Sequence, residues 1–406
     1  MSLAAKRFLA LGLSTAVALV AAWLLYPRAE PAPVVEFEPE VLEPEWIQRL
    51  RALDERDPPQ WIRAFPDSVL LRERLPLETR GKLFGPIRRS LKKMRYDEHA
   101  YFSHLPDVRS KVPWPEHPDG GYRVRTNSAG LRMDREIRAE KPDLRVLITG
   151  DSHVDGVGNN AEMVAAQLEG LWAKAHPGET VEALNAGVGG YCAYNYIGVL
   201  EKYLELEPDA FVAVFYGGND FADGLVYRHF FERTQRPEGS SLYPELMEPA
   251  LEAFPGAVAQ CFDQLIYLAR NPGEVPLAVE SAAQVLDEIG RICAHRGIAF
   301  VCVYLPPAID VEWEHHREAF DFVQRTLELS DEDVRLTDRM AEELLAHLRG
   351  QGIRVLDARE VLAGAAAAGP HYWTADQHLA PAGHRRLAEA LVPELEAALA
   401  EIGEGG

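Results

Sequence analysis

From residue 144 onward, short apolar runs alternate with amphipathic stretches, and this rhythm limits the possible folds more than any other feature of the chain. The runs are LRVLITG (144–150), VEALNAG (181–187), AFVAVFYGG (210–218), IAFVCVYL (298–305) and IRVLDA (353–358). Residues 161–174, 194–206, 278–295, 336–348 and 381–399 carry apolar side chains at helical spacing. Strands apolar on both faces need cover on both faces, so the pattern predicts an α/β domain with a mostly parallel sheet between helical layers. Pro381 falls in the expected first turn of the last helix, where a missing N–H is harmless. Segments 220–275 and 306–335 are longer than ordinary connections and read as insertions able to form pocket walls.

The N-terminal part is different in kind. Residues 8–26 read FLALGLSTAVALVAAWLLY, an uncharged run of 19 residues, and at about 1.5 Å per residue such a run nearly crosses a bilayer core. Lys6 and Arg7 precede it, and Trp23 and Tyr26 lie near its far end, so the expectation is a cytoplasmic tail (1–7), a transmembrane anchor (8–26) and an exported remainder. A cleaved signal peptide and a buried core helix are the other readings, the first weakened by the lack of Ala-x-Ala after Pro27. Residues 27–45 read as an acidic Pro-rich spacer and 46–143 as an extension of short helices and strands. Within the extension, RGKLFGPIRRSLKKMR (80–95) reads as a basic helix lying on lipid headgroups or, more ordinarily, as a solvated face packed on the main domain. The stretch GYRVRTNSAGLR (121–132) reads as a strand and turn adding an edge or lid to the first main strand.

With 42 Lys plus Arg against 63 Asp plus Glu, the net charge of −21 argues against nucleic acid or an anionic lipid surface as the partner of the bulk domain. Cys192, Cys261, Cys293 and Cys302 contain no C-x-x-C, which removes zinc and haem readings; Cys293 with Cys302 would close the shortest loop if any pair formed.

Polar residues gather where strands end. Gly150-Asp151-Ser152-His153 follows the first run, and the carboxyl ends of parallel strands are where such sheets bind ligands. A helix opening at Ser152 would direct free N–H groups at its surroundings, although a Ser there also serves simply as an N-cap. Asn185-Ala186-Gly187-Val188-Gly189-Gly190 and Gly218-Asn219-Asp220 follow the next two runs, each an ordinary turn or a source of oxyanion donors. Asp376-Gln377-His378 precedes the last helix. In an extended loop the two outer side chains share a side, as an acid orienting a basic imidazole requires; a helix cap beside an unrelated His is the bland alternative.

Together GDSHVDG (150–156), NAGVGG (185–190), GGND (217–220) and DQHLAPAGH (376–384) resemble the four blocks of the SGNH (GDSL-like) hydrolases, in their membrane-anchored bacterial form. The resemblance spans about 144–400. It implies a three-layer α/β/α flavodoxin-like fold with a five-stranded sheet, joined here to the transmembrane helix. It also implies Ser152 as nucleophile, His378 as general base and then acid, and Asp376 as its orienter. The oxyanion hole would be the Ser152 and Gly187 backbone N–H groups with the Asn219 side chain. Asp376-x-His378 departs from the family's commoner D-x-x-H and looks like the shorter form of some membrane-associated bacterial relatives. No metal or organic cofactor is required.

The expected reaction is ester hydrolysis through an acyl-enzyme, on O-acyl groups of an envelope glycan or a lipid. An O-acyltransferase using the same triad and a non-catalytic envelope scaffold are the alternatives. A groove built by 220–275 would favour lipid, and a cleft rimmed by Tyr372 and Trp373 would favour glycan. His153 is expected at the rim, His384 in helix packing, His315 and His316 at the entrance, and Asp151 and Asp155 in local hydrogen bonds.

Overall fold

The computed structural model describes residues 94–97, 99–232, 234–237, 243–363 and 370–405. Its first elements are two antiparallel hairpins, β1 (Met94–Asp97) with β2 (Tyr101–His104) and β3 (Arg109–Pro113) with β4 (Gly121–Arg125). The central sheet contains β5 (Leu144–Gly150), β6 (Val181–Asn185), β7 (Ala210–Tyr216), β8 (Ala299–Leu305) and β9 (Arg354–Asp357), all parallel, in the order β6-β5-β7-β8-β9. Every residue of β5, β6 and β7 is buried, as the unbroken apolar runs require.

Helices cover both faces. Pro381–Gly405 packs against Val164–Ala175 on one side, while Glu274–Arg296 packs against Ala193–Tyr203, Asp220–Glu232 and Leu336–Gly350 on the other. The strand order reverses direction at β5, so the end of that strand opens into the crevice where ligands of doubly wound sheets sit. The charged pair that joins β5 to β6 lies away from this crevice. Arg145 of β5 and Glu182 of β6 are register partners joined at 2.8 Å, both buried. Arg135 adds a second ion pair to Glu182 at 2.6 Å, which supplies the pairing that a buried carboxylate needs.

Several expectations require correction. No helix among the described residues is long and apolar enough to cross a membrane, because even the two longest, Glu274–Arg296 and Pro381–Gly405, are amphipathic and bury one face on the domain. Among the described residues nothing supports the transmembrane helix added to the fold, the membrane-anchored type, the single-pass extracytoplasmic placement or the membrane as a partner, and these expectations are not carried further. Residues 1–7, 8–26 and 27–45 lie outside the described residues, as does the basic stretch up to residue 93. The preference for an envelope substrate rested on that placement and loses its footing.

The end of the basic stretch is strand, since Met94 and Arg95 belong to β1. β4 pairs with β3 in its own hairpin instead of joining the edge of the main sheet. All four cysteines are free and buried.

The first hairpin is docked tightly. Gly198, midway along Ala193–Tyr203, faces the turn between β1 and β2 so closely that a Cβ would sit 2.2 Å from the His99 carbonyl oxygen. Backbone cannot yield as a side-chain tip can, so Gly198→Ala should destabilise the protein by about 1–3 kcal/mol through overpacking. The check is the denaturant midpoint at unchanged slope; an unchanged midpoint would show that the hairpin docks loosely.

Candidate active site

Ser152 is the first residue of a single helical turn, Ser152–Asp155, capped by Asp151, which accepts from the His153 N–H at 2.8 Å. The Val154 and Asp155 N–H groups donate to Asp151 O, and the Gly156 N–H to Ser152 O. The expected cradle of free amides therefore contracts to the N–H of Ser152 itself, because one turn of helix consumes its own donors. Asp151 is fully buried, and burial pushes its carboxyl up to about 6 despite hydrogen bonds from the His153 N–H and the Asn219 amide.

The Asp/His segment is the tip of a hairpin. Tyr372 and Leu379 form an antiparallel bridge, Trp373 N–H donates to His378 O at 2.9 Å, and Ala380 N–H donates to His371 O at 2.7 Å. Gln377 takes a left-handed backbone, φ +67°, where sequence reading expects extension; this conformation costs a non-glycine residue about 1–2 kcal/mol. The turn brings the two neighbours together. His378 Nδ1–H donates to Asp376 Oδ2 at 2.6 Å, and Nε2 receives the Ser152 hydroxyl at 2.9 Å.

His153 lies beneath this pair and away from the rim. It is buried, its ring centre 4.8 Å from that of His378 and 3.8 Å from that of Tyr216. Leu379 N–H donates to its Nδ1 at 3.1 Å, so Nε2 carries the proton toward Gln260 Oε1, 3.3 Å away. Burial, then the nearby His378, lowers the His153 pKa well below the ordinary 6.5, which keeps a neutral ring under the one that must gain charge. Gln260 reaches His153 from a π-helical turn, Val258–Phe262, inside the 220–275 insertion. Gly256 of the same insertion backs the Asp376 loop, where a Cβ would lie 2.0 Å from Ala375 O.

The extension grips both loops. Arg132, 3 % exposed, donates to the carbonyls of Asp155, Gly156 and Gly158 and pairs with the Asp155 carboxylate at 3.2 Å. His104 of β2 meets the same carboxylate at 2.9 Å. Glu116 accepts from the Ala375 and Asp376 N–H groups at 2.9 and 3.1 Å, and Trp373 Nε1–H donates to Val157 O at 2.9 Å. Sequence reading missed Arg132, Glu116, Gln260 and Gly256. A lone Arg after an Asn/Ser/Gly turn was a weak signal for the first, and nothing local marks the others.

The anticipated residues are distributed unevenly. Ser152, His378 and Asp376 form one hydrogen-bonded line, and Asn219 adjoins it through Asp151. Gly187 is buried and its N–H is already committed to Asn185 Oδ1 at 3.0 Å. The glycine beside Ser152 is Gly189, whose Cβ would be 3.6 Å from Ser152 Cβ. Tyr372 is wholly buried, with its hydroxyl on Pro306 O, so it rims no cleft. His384 is buried without a partner for either nitrogen, and burial followed by the charges of Arg132 and His378 pushes it down to about 3. His316 is buried rather than placed at an entrance.

The GDSL-like lipase/acylhydrolase family model matches residues 148–386. No curated protein matches the chain. Among solved structures, a catalytic mutant of an acetylxylan esterase from Geobacillus stearothermophilus is similar at 14% identity and a TM-score of 0.38, covering 64% of this chain and 96% of that one. An alpha/beta hydrolase from the metagenome of Lake Arreo, Spain, matches at 14% identity and 0.37, over 64% and 98%. The lipase/acylhydrolase from Enterococcus faecalis matches at 14% and 0.35, over 63% and 96%.

Asp155 offers a direct test of the grip on the Ser152–Asp155 turn. Burial alone would raise its carboxyl, but His104 and Arg132 hold it at about 2 against an ordinary 3.8. A depressed folded-state pKa contributes stability above the unfolded value and loses it as pH falls through the folded one. Between pH 4 and pH 2 the protein should lose about 2 kcal/mol through this group. Asp155→Asn should be less stable at neutral pH and lack that part of the acid slope in denaturant titrations. An equal slope in both proteins would place the acid sensitivity elsewhere.

Proposed function

The chain belongs to the GDSL-like lipase/acylhydrolase family, whose model matches more than half of it, and from that premise we propose that Ser152, His378 and Asp376 carry out its reaction. The protein is a serine ester hydrolase that works through an acyl-enzyme. In the proposed sequence, His378 Nε2 takes the Ser152 hydroxyl proton as Oγ attacks the ester carbonyl. The imidazolium then returns the proton to the leaving alcohol, and a water deprotonated by the same nitrogen releases the acid. Asp376 holds the Nδ1–H tautomer and the charge that develops on the ring.

The observation that carries this reading is the 2.9 Å contact between Ser152 Oγ and His378 Nε2, continued at 2.6 Å to Asp376. The same contact speaks against a non-catalytic scaffold. For the oxyanion we favour the Ser152 N–H and the Asn219 amide, because the Gly189 N–H beside Ser152 donates to Asp155 Oδ2 at 3.3 Å. The Gly187 N–H is likewise committed, to Asn185 Oδ1.

An O-acyl group on a sugar is the finer reading. Trp373 packs with Trp114, Tyr122 and Val157 next to the Asp376 loop, and aromatic surfaces of this kind suit the faces of sugar rings. The purified protein should release acetate from acetylated oligosaccharides and prefer short over long p-nitrophenyl esters; strong preference for long chains would sink the sugar reading alone. A fluorophosphonate should label Ser152, located by mass spectrometry, and His378→Ala should lower the labelling rate by about two orders of magnitude or more. Failure to label correctly folded protein would remove the proposed triad.

A further inference from the structure

We infer that Glu312, His316 and Gln377 form a second, buried hydrogen-bonded chain that sets the geometry of Asp376 and His378, making His316 a positioning residue for the reaction. The inference rests on the triad proposed above. Gln377 is the single residue between the acid and the base, and its left-handed backbone is what turns both toward Ser152. A glutamine has no intrinsic reason to stay in that conformation.

Its side chain supplies one. Gln377 Nε2 donates to Thr374 O at 2.6 Å and to His316 Nδ1 at 3.0 Å. Both partners are acceptors, so the amide cannot turn over without setting its oxygen against a carbonyl and a ring lone pair. Because His316 Nδ1 accepts, its proton sits on Nε2 and faces Glu312 Oε2 at 3.3 Å. Glu312 also accepts from the His371 N–H at 2.7 Å and the Tyr372 N–H at 3.4 Å. One carboxylate of the 306–335 insertion thus holds the base of the 371–380 hairpin directly and its tip through His316. All three side chains are 5 % exposed or less. The His315 and Phe320 rings pack against His316 at 4.7 and 5.3 Å. No proton needs to travel along this chain; its work is geometric.

The test uses the full chain carrying His316→Ala, Gln377→Gly or both. Three readouts are needed: kcat and KM on a short p-nitrophenyl ester, the melting transition, and the downfield proton resonance of the short Asp376–His378 bond. Glycine adopts the left-handed turn without strain, so Gln377→Gly cuts the chain while sparing the backbone. Each single variant should lose about 10- to 100-fold in kcat with KM within about twofold, and should broaden or shift the resonance. The double variant should be no worse than the poorer single, as expected when two residues act through one path. His316→Asn, which keeps an acceptor, should recover part of the loss.

Additive losses, or unchanged kcat and resonance in His316→Ala, overturn the inference. If His316→Ala does not fold, Gln377→Gly decides alone, and an unaltered kcat and resonance in it overturn the inference equally. If wild-type Ser152 fails to react with the fluorophosphonate, the triad falls. The resonance still reports whether His316 holds the Asp376–His378 pair, so the two failures are separable.

Discussion

Ser152 and His378 are 226 positions apart in the chain and 2.9 Å apart in space, and meeting that distance constrains nearly every other element. Ser152 is fixed by β5, beside the middle of the sheet. His378 is fixed by the helix that follows it, Pro381–Gly405, which lies across β8 and against Val164–Ala175. A small rotation of that helix would carry the imidazole away from the hydroxyl, because a hydrogen bond tolerates only a few tenths of an ångström. The contact therefore reports on how one whole helical layer is seated.

Loops at strand ends expose carbonyl and amide groups that the sheet does not satisfy, and each such group must find a partner once it is buried. Here ionised side chains supply the partners. Arg132 collects three carbonyls behind the nucleophile turn, Glu116 two amides ahead of His378, and Glu312 two more at the base of the same hairpin. Burying a charge is unfavourable unless it is well surrounded. Arg132 and Glu312 are buried among the very loops they hold, so for these two loop order and charge burial stand or fall together.

The sheet was legible because its signal is local and repeated: five apolar runs each mark a strand within one or two residues. The proposed Ser152, Asp376 and His378 stand out in the sequence as residue types at strand and helix ends, and their approach is a matter of folding. That the Gly187 N–H is taken by Asn185 was not legible, since spacing does not encode the contact. His153 was misplaced at the rim because neighbouring side chains of a helix diverge, and nothing in the sequence reveals that Leu379 and Gln260 draw it underneath. The Asp-x-His spacing looked natural for an extended loop, yet Gln377 reaches the same alignment by reversing its backbone handedness.

The family's characteristic stretch covers residues 148–386, whereas His104, Glu116 and Arg132 lie before it. Comparison of relatives over that stretch alone is blind to the residues that hold its two reactive loops. Two proteins with identical motifs could differ in rate because their preceding hairpins differ, and selection on such a difference would leave no trace in the motifs. For this protein the heritable unit of activity begins well upstream of the sequence by which its family is recognised.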